Sequence, residues 1–165
     1  MSIHEITLLE TKPATEWVRG RALQKVSPQD AHARAQLQLG AAMLSWAKER
    51  GLGRVGTEWE FRVALGYEQR QKVLIPHTAP TVAVEVISPD DRRDDIEDKI
   101  STYLAAGTLL VLLVDPQDGT FMAHDPEGAK RFTADETFRH PSMPGFSIGV
   151  GSAFEEIRPK QPPTD

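Results

Sequence analysis

The run Thr81-Val82-Ala83-Val84-Glu85-Val86-Ile87 is made of small and β-branched residues and predicts a strand over 82–87. Alternation puts Val82, Val84 and Val86 on one face and Ala83, Glu85 and Ile87 on the other. Ser88-Pro89-Asp90-Asp91 reads as a helix-start signal, and the charged helix it opens is expected to run to about Ala106, where Gly107 breaks it. Leu109 to Val114 is apolar at every position, as a central strand covered on both faces requires. Strand, helix and strand joined by short links form a βαβ crossover, expected to be right-handed.

Residues 16–26 suggest an early strand or a hairpin around Gly20, and Ser27-Pro28 then opens a long helix over 29–50 that Gly51 ends. Ala33, Leu37, Gly40, Ala41, Leu44 and Trp46 or Ala47 recur at helical spacing and predict its inward stripe. Val55, Thr57, Trp59, Phe61 and Val63 alternate with Gly56, Glu58, Glu60 and Arg62, the pattern of a half-buried strand over 54–63. A second strand is expected from Gln71 to Ile75, with an irregular link at 76–80. Asp115 to Gly119 is a turn that Thr120 to Ala123 closes into a hairpin; 131–133 and Phe138 are short strand candidates, and 152–157 a last short helix. The fold class is α/β: a mixed central β-sheet with the 29–50 helix on one face and the crossover helix on the other. Residues 1–158 are expected to form a single domain and 159–165 a flexible tail.

Composition narrows this picture. The 165 residues are 39% hydrophobic and 26% charged, as in an ordinary globular protein. A net charge of −5 argues against a generally basic nucleic-acid binder while leaving room for a local basic cleft. The absence of cysteine removes disulfides, thiolate metal sites and a cysteine nucleophile. The run at 109–114 is too short to span a bilayer, and the first residues show no secretory pattern, so a cytoplasmic location is expected.

Two opposite charges stand where the pattern asks for apolar residues. Glu85 interrupts its strand, and Lys99 falls among Ile96, Ile100 and Tyr103 of the following helix. An unpaired buried charge costs several kcal/mol, so the two are expected to meet, either as a structural ion pair or as half of a hydrolytic site. Alternatively, Lys99 lies on the flank of the stripe and carries its amine out to solvent. The acids at 90, 91, 94, 95, 97 and 98 suit the start of a helix. Glu58 and Glu60 share a polar strand face, His32 reads as a surface residue, and Ser88 lacks the flanking glycines of a nucleophile elbow. No phosphate-binding loop, dinucleotide fingerprint or zinc spacing is present.

The segment 81–94, with Lys99, Tyr103, Ala106-Gly107 and Leu113-Val114-Asp115-Pro116, closely resembles the Uma-two family of restriction endonucleases. Glu16 to Arg21, Ser27-Pro28, His32, Thr57-Glu58-Trp59 and Met143-Pro144-Gly145-Phe146 resemble it too. The family is similar to PD-(D/E)XK nucleases in which the motif lysine has moved to the helix after the acid strand. The resemblance implies a restriction-endonuclease-like fold, Glu85 and Lys99 as catalytic residues, Glu85 as a metal ligand, Mg²⁺ or Mn²⁺ as cofactor, and nucleic acid, DNA above all, as substrate. The chain departs from the family where a Pro-Asp pair precedes the acid strand: Ile75-Pro76-His77 and Ala79-Pro80-Thr81 hold no aspartate. His77, a poor magnesium ligand, and Glu58 or Glu60 of the neighbouring strand are the candidates to complete the metal set. The alternatives are a catalytically degenerate member that binds nucleic acid or a protein, and an assembly module that forms a homodimer through an exposed strand edge.

Overall fold

The computed structural model describes residues 30–57 and 79–155, together with two strands nearer the N-terminus. Those strands, β1 (Thr15–Val18) and β2 (Arg21–Gln24), pair antiparallel with Val18 opposite Arg21, the expected hairpin around Gly20. Helix α1 spans Asp30–Glu49, and Gly51 leaves it with φ +62°, where a side chain would be strained. Arg54 to Thr57, expected to begin a strand, is irregular; the rest of that strand and the one at 71–75 fall outside the described residues.

Among the described residues the centre is a four-stranded mixed sheet of β3 (Val82–Val86), β4 (Leu110–Asp115), β5 (Thr120–Asp125) and β6 (Gly128–Phe132), in that order. β3 and β4 are parallel, with Glu85 opposite Leu113, and are joined by helix α2 (Arg93–Ala105). The β4–β5 and β5–β6 pairs are antiparallel hairpins. β4 is central, and Leu110 to Val114 are all buried because each face is covered.

The two faces hold separate apolar clusters. Leu110, Leu112, Val114, Phe121 and Ala123, with Val82, Val84 and Val86, pack under α1 and the C-terminal segment. Ala83, Val111 and Leu113 pack with Ile96, Ile100, Tyr103 and Leu104 of α2. The helices therefore lie on opposite sides, and the alternation read along β3 is the one observed.

The inward stripe of α1 is rotated from the expected one. Ala35, Leu39 and Ala47 are buried with Ala42, Met43 and Trp46 against them, whereas Leu37 is 74% exposed and Leu44 39%. Apolar residues occur around most of this helix, so spacing alone fits more than one rotation. The start of α2 also differs. Ser88 is no cap: residues 88–91 form a turn in which the Asp91 amide donates to the Ser88 carbonyl oxygen at 3.0 Å, and the helix begins only at Arg93.

The C-terminal segment closes the α1 face with β7 (Thr137–Phe138), β8 (Ile148–Gly149) and a 3₁₀ helix at Gly151–Phe154, where a last short helix was expected over 152–157, of which 156–157 lie outside the described residues. Phe138 meets Phe121, Phe132 and Phe146 edge-on, and Phe154 meets Phe121 in the same way. At Gly151 a Cβ would lie 2.6 Å from the Ala134 carbonyl oxygen, so only glycine allows that approach. His140 ties the segment to the sheet. The Ser142 amide donates to His140 Nδ1 at 3.2 Å, which leaves Nε2–H to donate to Asp125 Oδ2 at 3.0 Å. The His140 bond, aided by the Glu127 amide, holds the Asp125 carboxyl below its usual range. Thr133 does the same for Asp135 and Glu136 through its hydroxyl and amide. Burial lowers His124, because desolvation disfavours its charged form. Among the described residues no helix is long and apolar enough to cross a membrane.

Candidate functional site

Glu85 shares the face of Ala83 and so points toward α2. Lys99 and Tyr103, one helical turn apart, project from α2 onto the same strip of sheet. Lys99 Nζ lies 3.4 Å from Glu85 Oε2, and the Tyr103 hydroxyl donates to Glu85 Oε1 at 3.3 Å. Each carboxylate oxygen thus faces a donor. The side chains of Lys99 and Glu85 keep 22% and 28% of their exposure, so the pair is sheltered yet open at one side. Lys99 turns inward to the acid instead of running out to solvent.

Beyond Glu85 the chain forms a rim. The Ile87 amide donates to the Val114 carbonyl oxygen at 2.8 Å, the last bond of the parallel ladder. Ser88 follows, 5% exposed, with its amide donating to Asp91 Oδ2 at 2.8 Å. Its hydroxyl lies 3.1 Å from Nδ1 of His32, in the first turn of α1. His32 is therefore half-buried and fastens α1 to the exit of β3, contrary to its reading as a surface residue. Of the acids near the helix start, Asp94 and Asp95 occupy its first turn, as the macrodipole favours. Asp115 of the Val-Asp-Pro sequence accepts from the amides of Gln117 and Asp118 at 2.9 and 3.1 Å, so it caps the β4–β5 turn.

The residues that local pattern left unassigned are Tyr103 and the His32–Ser88 pair. A tyrosine on the face of a helix that buries a charge needs a partner for its hydroxyl, and that requirement was the available signal for Tyr103. His32 and Ser88 are 56 positions apart, and no local periodicity connects them.

A divalent metal requires several oxygen ligands. Among the described residues no group of three or more His, Asp or Glu side chains is placed to hold one. Glu85 offers one carboxylate, and both of its oxygens already face protein donors. The described residues by themselves therefore do not fit a metal centre. His77 and Glu58, like Glu60, lie outside the described residues.

Residues 3–151 match the family Uma2, described as "Putative restriction endonuclease". The chain belongs to the Uma2 family. Its fold is similar to that of a solved structure from Anabaena variabilis ATCC 29413, described as "a putative nuclease belonging to DUF820". The two share 23% sequence identity with a TM-score of 0.78, over 92% of this chain and 95% of that one. No curated protein matches the sequence. This Uma2 chain accordingly has the mixed α/β fold that its sequence pattern implied and the restriction-endonuclease-like character that the resemblance implied.

Proposed function

We propose that this Uma2 chain is a nuclease that hydrolyses phosphodiester bonds of nucleic acid, DNA in the first instance, with Glu85 and Lys99 at the centre of its site. The observation that carries the reading is the pair itself: a carboxylate and an ammonium group 3.4 Å apart, on the strand and crossover helix of one parallel unit. Hydrolysis of a phosphodiester builds negative charge on the phosphoryl oxygens, and a cation held without reorganisation lowers the barrier to it. Lys99 is suited to that part. Glu85 would offer Mg²⁺ or Mn²⁺ a hard oxygen ligand on giving up one of its two protein donors, and Glu58 and His77 are the proposed remaining ligands. Tyr103 holds Glu85 from its other oxygen and limits its rotamers.

A second reading is a catalytically degenerate member that binds nucleic acid or a protein partner. It is favoured by the missing aspartate and by the double engagement of Glu85. One screen separates the two. Plasmid and oligonucleotide DNA are incubated with Mg²⁺ or Mn²⁺ and either the wild type or Glu85→Ala. The nuclease reading expects cleavage that the substitution lowers by about 100-fold or more. Cleavage that survives Glu85→Ala rules out this site, and a wild type that binds DNA without cutting it supports the second reading.

A further inference from the structure

The Ser88 hydroxyl is buried, and its one partner among the described residues is His32 Nδ1 at 3.1 Å. Two arrangements of hydrogen fit that distance. If Nδ1 carried the ring hydrogen, the hydroxyl hydrogen would be buried without an acceptor, an arrangement that costs free energy. If the hydroxyl donates to Nδ1, both groups are satisfied, and the neutral ring carries its hydrogen at Nε2. The second arrangement is therefore favoured, and Ser88 sets the tautomer of His32.

Ser88 itself is held firmly. Its amide donates to Asp91 Oδ2 at 2.8 Å, and its carbonyl oxygen accepts from the Asp91 amide at 3.0 Å. The imidazole thus rests on a fixed support at one nitrogen. Its other nitrogen has no protein partner among the described residues. The result is an oriented N–H donor with no acceptor among the described residues.

Its place in the fold suggests what it meets. β3 and β4 form the parallel pair of the sheet, and open α/β sheets bind ligands outside the carboxyl ends of their parallel strands. Ser88 lies just past that end of β3 and three positions beyond Glu85, so their Cα atoms are within about 10 Å. A group bound at Glu85 and Lys99 would extend over this rim.

We propose that His32 is a substrate-contacting residue of this site. Its Nε2–H donates to a phosphate oxygen of the nucleic acid, and Ser88 is the positioning residue that keeps the hydrogen there. The proposal rests on the nuclease reading for the place of the substrate, and it adds a contact from α1, an element that contributes neither Glu85 nor Lys99.

Two amide substitutions divide the functions of the ring. His32→Asn places an oxygen near the position of Nδ1 and can still accept from Ser88, but it removes the outer donor. His32→Gln reaches the position of Nε2 with an N–H. Binding of a fluorescein-labelled DNA duplex is read by anisotropy in EDTA, cleavage is read with Mn²⁺, and melting is followed by circular dichroism. The expected result for His32→Asn is a Tm near that of the wild type, binding weaker by about tenfold and cleavage slower by about 100-fold. His32→Gln should recover most of both losses, and Ser88→Ala should fall between it and His32→Asn. Binding by His32→Asn that equals the wild type overturns the inference and leaves Glu85 untouched. Equal losses in the two amide variants that follow a fall in Tm overturn it as well, since they assign His32 to structure alone. A wild type that binds without cleaving, with His32→Asn binding more weakly, sustains the contact and overturns the nuclease reading. A wild type that neither binds nor cleaves overturns both.

Discussion

Glu85 is a strand residue whose charge is managed by two side chains of a single helix, and each can be tested apart. Tyr103→Phe removes the hydroxyl at Oε1 and keeps the ring among Ile96, Ile100 and Leu104. The loss expected in denaturant unfolding is about 0.5–1.5 kcal/mol, the usual net worth of one hydrogen bond. A larger loss would show that Lys99 alone cannot hold the carboxylate. Strand parity fixed the face of Glu85 in the sequence, but helical spacing left Lys99 either in the inward stripe or on its flank, and the 3.4 Å contact decides for the first. The roles of Ser88 and His32 were not legible there. Ser88 followed by Pro89 and two aspartates looks like a cap, and its real partner comes from another element across 56 positions.

At the level of elements, the βαβ unit was readable because its three pieces differ sharply in pattern: a β-branched run, a charged helix and a wholly apolar strand. Helix α1 was readable in extent but not in rotation. Leu37 and Leu39 are alike in sequence, yet Leu39 is 2% exposed and Leu37 74% exposed. Periodicity could not separate them because each has small or apolar residues a helical turn away on either side, Ala33 and Ala41 for Leu37 and Ala35 and Met43 for Leu39. The two leucines should respond very differently to truncation. Leu39→Ala is expected to cost about 2–5 kcal/mol through lost burial and a residual cavity. Leu37→Ala should stay within about 0.5 kcal/mol of the wild type. Comparable losses in thermal or urea unfolding would mean that α1 presents a different face to the sheet.

For the molecule as a whole, pH should act on stability in one direction. The folded state holds His124 below its ordinary value of 6.5, so the unfolded chain takes up that proton more readily as pH falls. Stability from this group is complete above about 6.5 and declines below it. Asp125 and Asp135, ordinarily at 3.8, and Glu136, ordinarily at 4.5, are also held low. Their contribution is present above those values and is lost as pH drops through the lower folded ones. Calorimetry from pH 7 to about pH 3 should record a falling Tm. Asp125→Asn should flatten the acidic part of the curve, and an unchanged slope would remove the His140–Asp125 bond from the explanation. The parallel crossover has a further consequence, for the order in which the chain can assemble. Only fourteen positions separate Glu85 from Lys99. Bringing them together closes a short loop, and the entropy of closure grows only slowly with loop length. During synthesis, every residue of β3, α2 and β4 has been added by Asp115, before Phe121, Phe138 and Phe154 exist to cover the opposite face. The charges of the site can therefore meet through a local closure that does not involve the residues covering the opposite face. His32 waits within the chain already synthesised, and Ser88 need only fold back to it.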